Sequence, residues 1–275
     1  MSVIDMKFFD TYYFCNIASN LIYNAGIDLA STLAEFFGRY LEVEPVSFGK
    51  YSALHDYCNW VVNVLFFQED SRRIYDLSDD IGDFSEYGSD ELIIKLEKEK
   101  NSIGLWFDNA INCYQPEFTS FYNWLLENLE DYAHLDVALD DYMDKMGNQD
   151  AYANTLEAIS FEMFYVLFEN RYFLYKFNEY MAISHEYAIP RVYVPQWAKR
   201  AVFYRDKGKC VLCHKDLSGL LDVPEDKNIQ YDHIVPLENG GLNDILNLQL
   251  LCSDCNQKKG TAAITGTKYR YLYAL

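Results

Sequence analysis

Basic residues are scarce in this chain: 23 Lys+Arg stand against 42 Asp+Glu in 275 residues, for a formal charge of -19. A surplus of that sign repels a phosphate backbone and excludes nucleic-acid binding by bulk charge alone. Long apolar runs are missing too. The most apolar stretch, 161–177, is interrupted by Glu162, Glu169, Arg171 and Lys176, so it does not read as a membrane span. Residues 1–14 lack the basic start and small-residue cleavage site of a secretory leader. No repeat of fixed period is present. Three of the seven cysteines, Cys15, Cys58 and Cys113, stand singly in apolar surroundings and read as small buried hydrophobes. The expectation is a cytoplasmic protein without a membrane segment, in which clustered cysteines bind metal instead of forming disulfides.

What is present divides along the chain. Half the residues are hydrophobic, with 24 Tyr and 18 Phe, so aromatic packing carries much of the core. Residues 1–190 hold 11 Lys+Arg and 33 Asp+Glu, a charge of -22, whereas 191–275 hold 12 and 9, a charge of +3. Pro190 and Pro195 bracket the change. Two domains are expected: an acidic, aromatic-rich helical domain over 1–190, and a small domain over 191–275. Apolar residues recur every three or four positions through 118–146, which predicts one long amphipathic helix with Pro116 in its first turn. Asn154 and Glu157 suggest a capping box opening a second long helix that runs through Leu174. Further helices are expected over 12–41, 52–67, 90–100, 103–113 and 197–206, with loops at 43–49 and 76–89. The carboxylates between the apolar positions read as a solvated face or as a docking surface for a basic partner.

Four cysteines make two C-x-x-C pairs, Cys210 with Cys213 and Cys252 with Cys255. Each pair bends two thiolates toward one ion, and two pairs fill a tetrahedral zinc site. A filled sphere leaves no place for a reacting water, so this metal is expected to be structural. His214 is not needed as a ligand. The 38 residues between the pairs must form an inserted element. Within it, 229–236 reads as a strand, Asn239-Gly240-Gly241 as a turn and 246–251 as a second strand, with a helix from Cys255 onward.

The insert reads D-H-I-V-P-L-E-N-G-G over 232–241 and N-L-Q-L-L-C-S-D-C-N-Q-K-K-G over 247–260. Together with the C-x-x-C pairs, this pattern over 195–262 resembles the HNH endonuclease family and its ββα-metal fold. The resemblance implies a small zinc-stapled ββα-metal HNH domain; with the helices read from apolar spacing before it, the expected fold is α+β, a mostly helical N-terminal domain followed by that HNH domain. It implies that His233 is the general base, that Asp232 and Asn256 hold one catalytic divalent metal, and that Asn247 braces the loop orienting His233. Lys258 and Lys259 are expected to contact backbone phosphate. Mg2+ or Mn2+ suits carboxylate and amide oxygens. A neutral imidazole can take the proton of an attacking water.

The expected function is metal-dependent hydrolysis of phosphodiester bonds in DNA, with RNA left open. The acidic helical domain would act as a regulatory part. It would meet a protein partner such as an ATPase or sensor, or a second copy of the chain. A phage-defence effector is the context that such a fusion suggests. The competing expectation is a non-enzymatic zinc-binding adaptor that keeps the cysteine scaffold alone.

Overall fold

The computed structural model describes residues 6–23, 36, 48–115, 118–147, 150–183, 188–219 and 229–266. It is α+β, with a helical N-terminal part and one two-stranded sheet close to the C-terminal cysteine cluster. The helices are α1 (Thr11–Tyr23), α2 (Ala53–Ile81), α3 (Ser89–Lys98), α4 (Lys100–Ile103), α5 (Trp106–Tyr114), α6 (Phe121–Glu127), α7 (Leu135–Gly147), α8 (Asp150–Phe168), α9 (Arg171–Ile183) and α10 (Gln196–Arg205). Strands β1 (Ile229–His233) and β2 (Leu248–Cys252) follow, then α11 (Ser253–Lys259).

Several helix boundaries differ from the sequence expectation, each for a local reason. The helix expected over 118–146 is two helices, α6 and α7. Asn128 closes the first by donating its side-chain amide to Trp124 O at 2.7 Å. Tyr132 is then extended, and Ala133 O is taken by Phe84 N at 2.7 Å. Pro116 and residues 43–47 of the loop expected at 43–49 lie outside the described residues, as does 24–41, Phe36 excepted, of the helix expected over 12–41. The acidic stretch expected as a loop from residue 76 is helical as far as Ile81. Ile74, Ser78 and Ile81 stay buried at helical spacing while Asp76, Asp79 and Asp80 face solvent. Gly82, at φ 78, ends α2. Asn154 caps nothing, because α8 already starts at Asp150. The long run expected through Leu174 is cut at Asn170, whose Oδ1 accepts Phe173 N at 3.1 Å and so starts α9.

The chain divides into two compact units, 1–14 with 58–162, and 15–57 with 163–275. In the first, an aromatic core packs edge to face: Phe66 on Trp106 at 5.1 Å and Phe107 on Tyr152 at 5.0 Å. Asp70 is buried and accepts Trp106 N and Phe107 N at 2.8 and 3.0 Å, which fixes the start of α5. Asp108 accepts Phe121 N at 2.7 Å and the Tyr142 hydroxyl at 2.8 Å. Burial pushes its carboxyl up to about 7.

In the second unit α9 packs with the hairpin region. Phe173, Leu174 and Phe177 are buried, and the Asn178 amide donates to Leu246 O at 3.1 Å. Arg171, Arg205 and Asp206 form a buried cluster. Arg205 donates to both oxygens of Asp206 at 2.9 and 3.0 Å and to Leu248 O at 2.6 Å. Arg171 reaches Asp206 Oδ1 at 3.4 Å and Gly266 O at 2.7 Å, and Asp206 Oδ2 accepts Leu250 N at 2.9 Å. The change of charge near residue 190 therefore lies inside the second unit.

Candidate active site and metal centre

β1 and β2 pair antiparallel with Ile229 opposite Cys252, Asp232 opposite Gln249 and His233 opposite Leu248. Cys252 ends β2 and directly precedes α11, so Cys252 and Cys255 flank the first helical turn. The other pair is folded back by a tight turn. Cys210 N donates to Lys215 O at 3.0 Å, His214 N to Cys210 O at 2.8 Å, and His214 takes φ 63. Val211 N donates to Leu250 O at 3.0 Å, which fastens this turn to β2.

The four sulfurs consequently lie within 4.8 Å of one another. The Cys213 and Cys252 sulfurs are 3.8 Å apart. Zn–S bonds of ~2.3 Å in a tetrahedron require sulfur separations of about 3.8 Å, so the donor set fits a structural ion such as zinc. Burial opposes ionisation of Cys210, but the N–H groups of Cys213, Cys252 and Leu212 outweigh it and lower that thiol. Burial and the three neighbouring sulfurs push Cys255 up. A cation at the centre reverses that crowding.

The 14 residues joining the strands are organised by Asn247, which is fully buried. Its Oδ1 accepts Val235 N at 2.8 Å, and its Nδ2 donates to Val235 O at 2.9 Å and Leu242 O at 3.0 Å. Its backbone oxygen accepts Ile234 N at 2.7 Å. Gly241 is needed here for closeness: a Cβ would stand 2.0 Å from Val235 O and 2.8 Å from Asn247 Nδ2. The loop leaving His233 is thus held by one amide and one missing side chain.

Asp232 and His233, adjacent on β1, diverge. Asp232 keeps 14% side-chain exposure and forms an ion pair with Lys259 Nζ at 3.0 Å. Gln249 Nε2 lies 3.3 Å from the same Asp232 oxygen, Oδ2. The His233 ring is buried, and neither ring nitrogen has a hydrogen-bond partner among the described residues. Burial lowers it to about 4, helped by the cations of Arg191 and Lys259 and opposed by Asp232 and by Asn243. The Asn243 amide sits close to the ring outside hydrogen-bond geometry, and donates instead to Pro190 O at 2.8 Å. His233 is therefore a neutral imidazole.

Asn256 is half-buried on α11, and its side-chain amide makes no hydrogen bond among the described residues. It lies one turn before Lys259, hence on the same helix face, and Lys259 touches Asp232. Carboxylate and amide oxygens such as those of Asp232 and Asn256 are the donor types a hard divalent ion takes. Of the two lysines expected to face phosphate, Lys258 is exposed. Lys259 is not: it is buried, paired to Asp232, and donates to His233 O at 2.9 Å. The reason is its register on α11, which turns residue 259 onto the hairpin and residue 258 to solvent.

Sequence reasoning missed Gln249 and Asn243. Gln249 is fully buried and ties Asp232 to Ile264 O at 2.8 Å. A glutamine inside an otherwise apolar strand, L-Q-L-L, was the available signal.

A two-stranded hairpin and a helix, with four cysteines placed at the base to hold a structural metal ion such as zinc, define a ββα unit. Residues 210–262 match the family model of the HNH endonuclease. No curated protein and no solved structure matches the chain.

Proposed function

We propose that the ββα unit hydrolyses phosphodiester bonds in DNA with a divalent ion, Mg2+ or Mn2+, and that the four-cysteine cluster holds zinc. The observation carrying this reading is the placement on one ββα unit, within the stretch that matches the HNH endonuclease family model, of Asp232 and the buried His233 side by side on β1 and Asn256 on α11. The ion, held by Asp232 and Asn256, would neutralise charge on the phosphate and on the departing 3′-oxygen. His233, unprotonated at cellular pH, accepts the proton of the attacking water. Asn247 holds the 234–247 connection so that the His233 backbone has one position. Lys258, Arg200 and the exposed Arg191 supply positive charge for the backbone. Cleavage on this scheme leaves 5′-phosphate and 3′-hydroxyl ends.

The test is nicking of supercoiled plasmid with Mg2+ or Mn2+ by the full chain and by His233→Ala. Loss of at least about a hundredfold in the variant, with the fold retained by circular dichroism at the assay temperature, is the expected outcome. The adaptor reading has one observation in its favour, the burial of the His233 ring. It gains if the wild type is inactive with every divalent ion.

The first unit carries 7 Lys+Arg against 25 Asp+Glu, the second 16 against 17. That imbalance supports a regulatory role for the acidic part, engaging a basic protein partner such as an ATPase or sensor, or a second copy. A phage-defence effector in the cytoplasm fits this arrangement. Sedimentation of the full chain at low and high salt tests self-association.

A further inference from the structure

Lys259 occupies a place that few lysines take. Its side chain is 1% exposed, and its ammonium is fixed by two bonds, to Asp232 Oδ2 at 3.0 Å and to His233 O at 2.9 Å. A buried ammonium stays charged only beside a counter-charge, and Asp232 is the one its geometry supplies. Gln249 Nε2 donates to the same Oδ2. Both contacts fall on Oδ2, and among the described residues Oδ1 of Asp232 carries no side-chain contact and is the oxygen open to an ion. The Asp232–Lys259 pair has no net charge, and the neutral amides of Gln249 and Asn256 add none. Among the described residues that touch Asp232, Lys259 already balances its charge.

We infer that Lys259 is a resident competitor for the divalent ion. It restricts Asp232 to a single ligand oxygen and keeps ion affinity low until a nucleic-acid phosphate brings negative charge to the site. This rests on the proposed function and adds a rule for the order of loading. An ion entering a neutral site beside a fixed ammonium is weakly held, because like charges a few ångströms apart repel. A phosphodiester supplies the missing anion, and by linkage substrate and ion then strengthen each other's binding. Lys259 is a positioning residue in this scheme, acting through Asp232 and the His233 peptide.

The experiment measures Mn2+ affinity of the zinc-loaded full chain by isothermal titration. The wild type is compared with Lys259→Met, Lys259→Gln, Lys259→Arg and Asp232→Asn. Mn2+ is chosen because it prefers oxygen ligands and leaves the thiolate cluster to zinc. The neutral variants should bind Mn2+ about tenfold tighter than the wild type, Lys259→Arg should match the wild type, and Asp232→Asn should bind weakest. Adding a short phosphorothioate duplex should tighten Mn2+ binding to the wild type more than to Lys259→Met. Lys259→Gln retains a donor for His233 O and serves if Lys259→Met does not fold. Equal or weaker binding by folded neutral variants, beside measurable wild-type binding, overturns the inference and leaves the proposed ion site standing. Failure of every protein to bind Mn2+, with or without duplex, overturns both.

Discussion

Asn247 commits its whole side chain to the connection between the strands, so its replacement reads directly as stability. Asn247→Ala removes three buried side-chain hydrogen bonds and leaves Val235 N, Val235 O and Leu242 O short of a partner. The expected cost is about 2–4 kcal/mol, seen as a lower urea midpoint at unchanged slope. His55 makes a separate pH prediction. Its ring stacks on Phe164 at 4.1 Å, and its Nδ1 accepts Ser52 N at 3.0 Å at the start of α2. Burial lowers it from 6.5 to about 4. Its folded pKa is below its unfolded one, so its contribution is present above 6.5 and is lost as pH falls toward about 4. The melting temperature of the wild type should fall over that window, and that of His55→Asn, which keeps an acceptor but does not titrate, should fall less. At this scale the candidate site residues stand out as a pattern of D-H, N and C-N, which the structure distributes over β1, the residue before β2 and α11. The burial of Lys259 was not legible in the sequence, since two adjacent lysines look alike until helix register separates them.

Elements were legible where a periodic run met a clear stop. The hairpin, α11 and α10 fall within a few residues of where strand-like runs, turn residues and the C-x-x-C pairs put them, β1 ending at His233, β2 starting at Leu248 and α11 starting at Ser253. The breaks at Asn128 and Asn170 were missed because apolar spacing continues across both. Each asparagine ends or starts a helix with its own side chain, a choice that periodicity does not register. Asn170→Ala should therefore cost about 1 kcal/mol, measured by chemical denaturation, with activity retained. A metal ion on the four cysteines would tie the β2–α11 junction to the turn at 210–213. Cys252→Ser, or removal of zinc by a chelator, should abolish the fold of the ββα element and leave the far-ultraviolet helical signal of the other unit largely intact.

For the whole molecule, composition marked a change of character near residue 190, but packing draws its boundary elsewhere. Charge is a property of surface, whereas the grouping of α9 with the hairpin depends on buried contacts such as Asn178 to Leu246 O that composition does not report. A fragment of 191–275 loses Arg171 and Asn178 and leaves Asp206 with one cation where it had two. Even with zinc it should melt well below the second unit of the full chain, on the scale of about 3–5 kcal/mol for a broken buried ion pair. The Arg171–Asp206–Arg205 cluster also bears on descent. Arg171 lies outside 210–262, the stretch that matches the nuclease family, yet its guanidinium completes a charge set anchored on β2. A gene cassette spliced at residue 190 would inherit Asp206 and Arg205 without their third member. Lineages carrying this chain should therefore change positions 171 and 206 together, and should pass on the helix and the nuclease segment as one heritable block.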